Sequence, residues 1–211
     1  MKRSKKKNNK LNSLEYEITR AFLHMTLGIL LLTFLSMRII NGFHIFILLI
    51  LSGLISLIYK KYKLPVISFF FENYERPKVL KRFPGKGLVT LLIGILLAYK
   101  LYPFDIAMTT IVVVSLLDPI SRSFGMMFGK TINILDPKKK KYIEGHIMGG
   151  VASFLVSMIY VNPIESLIAA LVGIISESVI VQLNGESIDD NIVVPLAVGV
   201  SILLLRMYLA I

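Results

Sequence analysis

Residues 104–130 read FDIAMTTIVVVSLLDPISRSFGMMFGK, and the fold turns on how far the first part of this stretch can reach. From Phe104 to Leu117 it is almost wholly apolar; then Asp118 and Pro119 break the run, and Arg122, Gly125, Gly129 and Lys130 follow. Crossing a hydrocarbon core of about 30 Å takes about 20 helical residues. The 104–117 run is shorter than that, which predicts a broken or re-entrant segment ending near Asp118. Backbone that leaves helical geometry at membrane depth is tolerated only where protein or a wet cavity covers it. The segment is therefore a candidate wall of a site.

Further apolar runs lie on both sides, at 21–37, 39–59, 87–102, 147–161, 164–183 and 192–210. Together with 104–117 they predict an all-α, polytopic integral membrane protein of about seven transmembrane helices. A mean hydropathy of +0.72 and only 18% charged residues agree with that class. The sequence has no cysteine, which excludes disulfides and thiolate metal sites, and His24, His44 and His146 are too scattered to form a zinc cluster. Any metal here would be oxygen-ligated.

Charge orients the chain. Met1 to Lys10 is rich in lysine and arginine, and alternating the spans puts residues 60–86, 118–146 and 184–191 on the same side. Of the 24 basic residues only Arg38, Lys100 and Arg206 fall at the opposite ends. By the positive-inside rule the N-terminal side is cytoplasmic. The net charge of +11 then reads as a topology signal and an attraction to anionic headgroups rather than a nucleic-acid footprint. No small-residue cleavage site follows the first apolar run, so residues 1–13 read as a retained basic tail, disordered or lying on the membrane. Ser13 is the expected cap of the first helix. Residues 14–211 form a single membrane-embedded domain.

Two polar constellations interrupt the apolar pattern. Ionised groups close to a bilayer are costly unless they face water, a partner or a metal. The first constellation is Asp118, Ser121, Gly125, Gly129, Lys130, Lys138 to Lys141, Glu144 and Gly145. An acid at the end of a span can hold Mg²⁺ directly or through water, because hard cations take oxygen ligands. Gly125 and Gly129 clear one helix face for a neighbouring helix or for a phosphate. Lys130 and the lysine run can neutralise phosphate oxygens, although a lysine run beside a membrane also serves headgroups. Glu144 falls one turn after Lys141, where it can orient that lysine or bind the ion.

The second constellation is Glu177 with Asp189, Asp190, Asn191 and Pro195. Glu177 lies within an apolar run and so faces either a cavity or an ion-pair partner such as Arg122 or Lys130. Asp189, Asp190 and Asn191 offer oxygen ligands just before the last span, with a capped helix start as the structural alternative. Adjacent carboxylates repel, which favours a cation nearby. No Walker A loop, GxGxxG, GxSxG or HExxH motif occurs, so a soluble P-loop or protein-kinase mechanism is not supported.

In order along the chain, Arg20-x3-His24, Pro84-Gly85-Lys86-Gly87 leading to Gly94, Asp118-x2-Ser121-x2-Phe124-Gly125-x3-Gly129 followed by Lys141-x2-Glu144-Gly145, and Glu177 with Asp190-Asn191-x3-Pro195-Leu196 resemble the CTP-dependent polyprenol kinases. That family includes dolichol kinase, phytol kinase and the yeast-type CTP-dependent diacylglycerol kinase. Leu117, Ser121, Ala21 and Tyr142 depart from its usual residues, Tyr142 where a small hydroxyl residue follows the lysine. The resemblance implies transfer of the γ-phosphate of CTP to the hydroxyl of a polyprenol- or dolichol-type lipid alcohol at the cytoplasmic face, with Mg²⁺. It implies Asp118, Asp190 and Asn191 at the metal, and Lys130, Lys140, Lys141, Gly125, Gly129 and Gly145 around the nucleotide. Glu144 and Glu177 would support these groups, and Asp189 or Glu177 would be the base. Arg20, His24 and Lys86 would line the lipid entrance. Two rivals are a CTP-dependent cytidylyltransferase, of the CDP-archaeol or CDP-diacylglycerol synthase kind, and a membrane transporter with Asp118 and Glu177 as relay groups. Cytidylyltransferases typically end in an HGGxxDRxD-like motif, whereas this chain carries DDNxxxPL.

Overall fold

The computed structural model describes residues 2–62, 65–75, 77–133, 141–179, 182–183 and 186–209. The chain runs through α1 (Lys2–Ser36), α2 (Gly42–Lys61), α3 (Pro65–Tyr74), α4 (Pro77–Arg82), α5 (Lys86–Leu101), α6 (Phe104–Phe128), α7 (Ile143–Ser157) and α8 (Pro163–Ser178). A two-residue ladder, β1 (Gln182–Leu183) antiparallel to β2 (Glu186–Ser187), precedes α9 (Asp190–Leu209).

Helix starts follow local chemistry. Proline opens α3, α4 and α8, where its missing N–H would have had no helical partner. Asn41 accepts from the amides of Phe43 and His44 at the start of α2, and Asn162 and Glu165 form a reciprocal capping box on α8. Gly85, with φ of 75°, turns the chain into α5 through a conformation that a Cβ would strain.

Among the described residues four helical segments are long and apolar enough to cross a membrane: Leu14–Ser36, Gly42–Lys61, Phe104–Phe128 and Asp190–Tyr208. Each of the other apolar runs lies on a shorter helix, α5, α7 or α8. Helix α6 is central, with 78% of its apolar window buried against 28% in each of the other three long segments. It packs on α1, α5, α7, α8 and α9. Ile106, Met108, Ile111, Val112 and Val113 are fully buried there, while Phe22, Leu27, Leu51, Leu57, Leu171 and Met207 keep large apolar surfaces exposed on the outer helices. That inversion of the soluble pattern suits a lipid surround.

Two expectations are corrected. The 104–117 run does not break: α6 stays helical through Asp118 and Pro119 to Phe128, although proline removes one helical hydrogen bond. Close packing on both sides holds it, since Gly145 and Gly149 of α7 seat directly on the backbone of Ser121 and Leu117. The basic tail is helical too, for α1 begins at Lys2 rather than behind Ser13. No glycine or proline lies between Lys2 and His24, and extending an existing helix is far cheaper than starting one.

Helix α5 meets α9 at Gly94, where a Cβ would collide with the Asn191 carbonyl. Gly94→Val is expected to cost about 1 to 3 kcal/mol by overpacking, read as a lower midpoint of thermal unfolding in detergent.

Candidate active site

The polar residues of the sequence fall at two ends of the bundle. One end gathers the second half of α6, the starts of α5, α7 and α9 and the end of α8. An antiparallel pairing of residues 131–133 with 141–143 brings Lys141 there: Asn133 N donates to Lys141 O at 2.9 Å, Ile143 N donates to Thr131 O at 2.9 Å, and Ile132 bridges Tyr142. Lys141 Nζ then donates to Glu177 Oε1 at 2.9 Å and to the Glu177 carbonyl at 2.8 Å, and lies 3.4 Å from Asp190 Oδ2. Burial, the largest influence, pulls the Lys141 ammonium down, but Glu177, Asp118 and Asp190 outweigh it and hold its pKa above the ordinary lysine range. Lys141 is therefore a fixed cation.

Asp118 faces the same space. Arg122 Nη2 donates to its Oδ1 at 2.9 Å, and Arg122 Nη1 lies 3.7 Å from Glu17 Oε2 of α1. Asp118, Glu177, Asp190 and Asn191 line a cavity of about 10 Å³ closed by Val114, Leu117 and Val194. That is close to the smallest volume able to hold one water-sized sphere. Among the described residues no three acidic or histidine side chains are grouped closely enough to hold a metal ion. A larger recess, about 500 Å³, lies at the opposite end over Glu165 and Arg206. It touches none of these residues.

The other predicted residues divide by contact. Asp189 caps α9, accepting from Asn191 N at 3.3 Å, and stands 3.6 Å from Lys86 Nζ. Asn191 Nδ2 donates to Thr90 Oγ1 at 3.1 Å, which ties α9 to α5. Glu144 accepts from Thr131 N at 3.0 Å rather than meeting Lys141. Gly125 and Gly129 lie against the Tyr142 side chain, and Gly125 also against Gly145. Lys130 is exposed just after α6. Arg20 pairs with Glu17 at 3.5 Å, and the Nε2 atom of His24 is buried without a hydrogen-bond partner among the described residues. Lys138, Lys139 and Lys140 lie outside the described residues.

Sequence reasoning missed three contributors. Arg122 pairs with Asp118, not Glu177, and the i,i+4 spacing was the available signal. Glu17 gave none. His146, read only as one of three scattered histidines, places its ring beside Glu177. Against protein-family models, curated proteins and solved structures, the chain finds no match.

Proposed function

We propose that the chain is a CTP-dependent lipid kinase that transfers the γ-phosphate of CTP to the hydroxyl of a polyprenol- or dolichol-type isoprenoid alcohol. The reading is carried by one observation: Lys141, Glu177 and Asp190, far apart in sequence, meet within hydrogen-bonding or ion-pair distance beside Asp118. Phosphoryl transfer asks for positioning and charge neutralisation more than for covalent chemistry. A lysine ringed by acids at one end of an apolar bundle suits a polyphosphate whose acceptor arrives from lipid.

The seven apolar helices α1, α2, α5, α6, α7, α8 and α9 are taken as alternating spans, with the basic N-terminal side cytoplasmic. Along α6 and α8, Asp118 and Glu177 stand about 20 Å from the charged residues of the far end at 1.5 Å per residue. A hydrocarbon core is about 30 Å thick. The reacting groups therefore lie below the headgroups, where a lipid hydroxyl can reach them without leaving the bilayer.

Two carboxylates and one amide, Asp118, Asp190 and Asn191, are the residues that would hold Mg²⁺, a hard cation that takes its remaining oxygen ligands from water and substrate phosphates. When bound it would offset phosphate charge. Lys141 neutralises phosphate oxygens from the opposite side, and Glu177 aims Lys141. Arg122 keeps Asp118 in place.

Purified protein in nanodiscs, given polyprenol and CTP labelled at either the γ or the α phosphate, is expected to pass only γ label to lipid. Entry of α label would instead mean cytidylyl transfer, and no label from either position would remove the enzyme reading. Asp118→Asn and Asp190→Asn are each expected to lower transfer about a hundredfold or more while the protein stays folded and inserted. Normal turnover in both would sink the metal assignment.

A further inference from the structure

His146 and Glu177 face each other from α7 and α8, each only 3% exposed. Nδ1 of the ring lies 3.6 Å from Glu177 Oε2, and neither atom has a hydrogen-bond partner among the described residues. The other side of the ring fixes its tautomer. Ser178 Oγ donates its single hydrogen to the Ile174 carbonyl at 2.8 Å and accepts from Asn133 Nδ2 at 2.9 Å. It meets His146 Nε2, 3.5 Å away, only as an acceptor. Nε2 therefore carries a hydrogen, and in a neutral ring Nδ1 is a bare acceptor. Glu177 Oε2, on a carboxylate, is an acceptor as well. Two buried acceptors aimed at one another leave both unsatisfied, at a cost of about 1 to 3 kcal/mol for each group.

One proton removes the conflict. We propose that His146 holds it on Nδ1 and donates to Glu177 Oε2, so that His146 is a positioning residue for Glu177 and, through it, for Lys141. Glu177 is then gripped at both oxygens, Oε1 by Lys141 and Oε2 by the imidazolium. Such a carboxylate serves to aim Lys141 and is not the base of the reaction. The surrounding charges are Lys141 just before α7, Asp118 and Arg122 from α6, Asp190 from α9 and, behind Arg122, the Glu17–Arg20 pair of α1, which adds one charge of each sign. Without the proton Asp118, Glu177 and Asp190 face Lys141 and Arg122, three negative charges against two positive ones; the imidazolium balances them.

The proton itself is independent of the lipid-kinase reading, whereas its effect on rate rests on that reading. Full-length protein in nanodiscs with ¹⁵N-labelled histidine tests the first. At pH 7 the His146 ring is expected to show both nitrogens protonated, reverting to a neutral Nε2–H ring in Glu177→Gln. A neutral His146 ring in the unmodified protein, or a ring unchanged by Glu177→Gln, would overturn the proposal whether or not phosphate transfer is seen. Assignment by His24→Gln and His44→Gln avoids any need for a folded His146 variant. In the transfer assay, His146→Gln supplies a side-chain amide that can donate to Glu177 in place of the ring, and is expected to stay active. His146→Leu should lose about ten- to a hundredfold. A loss in His146→Gln as large as that in His146→Leu would overturn the proposed link to rate.

Discussion

Lys141→Ala is expected to lower γ-phosphate transfer about a hundred- to a thousandfold and to destabilise the fold by about 3 to 5 kcal/mol. The two losses have different origins. Glu177 has a side chain only 1% exposed, and Lys141 Nζ is its ion-pair partner at 2.9 Å. Removing one partner of a buried pair leaves the other charge stranded, which costs far more than the pair contributes when whole. Adding Glu177→Gln to Lys141→Ala removes that charge and is expected to recover most of the stability, measured by thermal unfolding in detergent. On the lipid-kinase reading it should not recover transfer, because the phosphate would still lack its cation. If the double variant regained activity, Lys141 would have served Glu177 alone. The pH dependence has a definite sign: a lysine whose folded pKa is raised stabilises fully below its unfolded value of 10.5 and loses that contribution as pH climbs through the folded value. Lys141 therefore gives no reason for acid sensitivity near neutrality.

Much of the architecture was legible because lipid leaves few ways to arrange an apolar helix. Each predicted apolar run overlaps a helix of the structure, although the 164–183 run outlasts α8, which ends at Ser178. What could not be read was how neighbours override a local signal. The shortness of the 104–117 run argued for a break near Asp118, yet α6 continues through Asp118 and Pro119 because α7 presents Gly145 and Gly149 to that stretch. Those glycines belong to another helix, and nothing in residues 104–130 announces them.

The site divides in the same way. Asp118, Lys141, Glu177 and Asp190 stood out as charges placed against apolar runs, and they do come together. Gly125 and Gly129 were open to two readings, and the Tyr142 side chain occupies the clearance they leave. Partner choice was the least legible part. Arg122 was one candidate partner of Glu177, but a helix face puts it over Asp118, and the pairing of residues 131–133 with 141–143 gives Glu177 to Lys141. His146 needed the α7–α8 contact to acquire any meaning.

The far end of the bundle supplies the sharpest contrast with Lys141. Arg206 Nε donates to Glu165 Oε1 at 2.5 Å, and its Nη2 donates to Glu165 Oε2 at 3.0 Å and to Asp105 Oδ2 at 2.6 Å. One guanidinium thus joins α9, α8 and α6. The Glu165 side chain is 3% exposed and also completes the α8 capping box. Arg206→Met is expected to cost about 3 to 5 kcal/mol by stranding that carboxylate, a loss as large as that of Lys141→Ala. Its effect on chemistry should be the opposite. Arg206 lies about 24 Å along α9 from Asp190 at 1.5 Å per residue, and it touches nothing at the Lys141 end. The surviving folded protein should therefore keep its kcat/KM for CTP, and Arg206→Met combined with Glu165→Gln should regain stability with transfer intact. If kcat/KM instead fell with Arg206→Met in protein still folded, the two charged ends would be coupled through α9, and α9 would have to move as a unit during turnover.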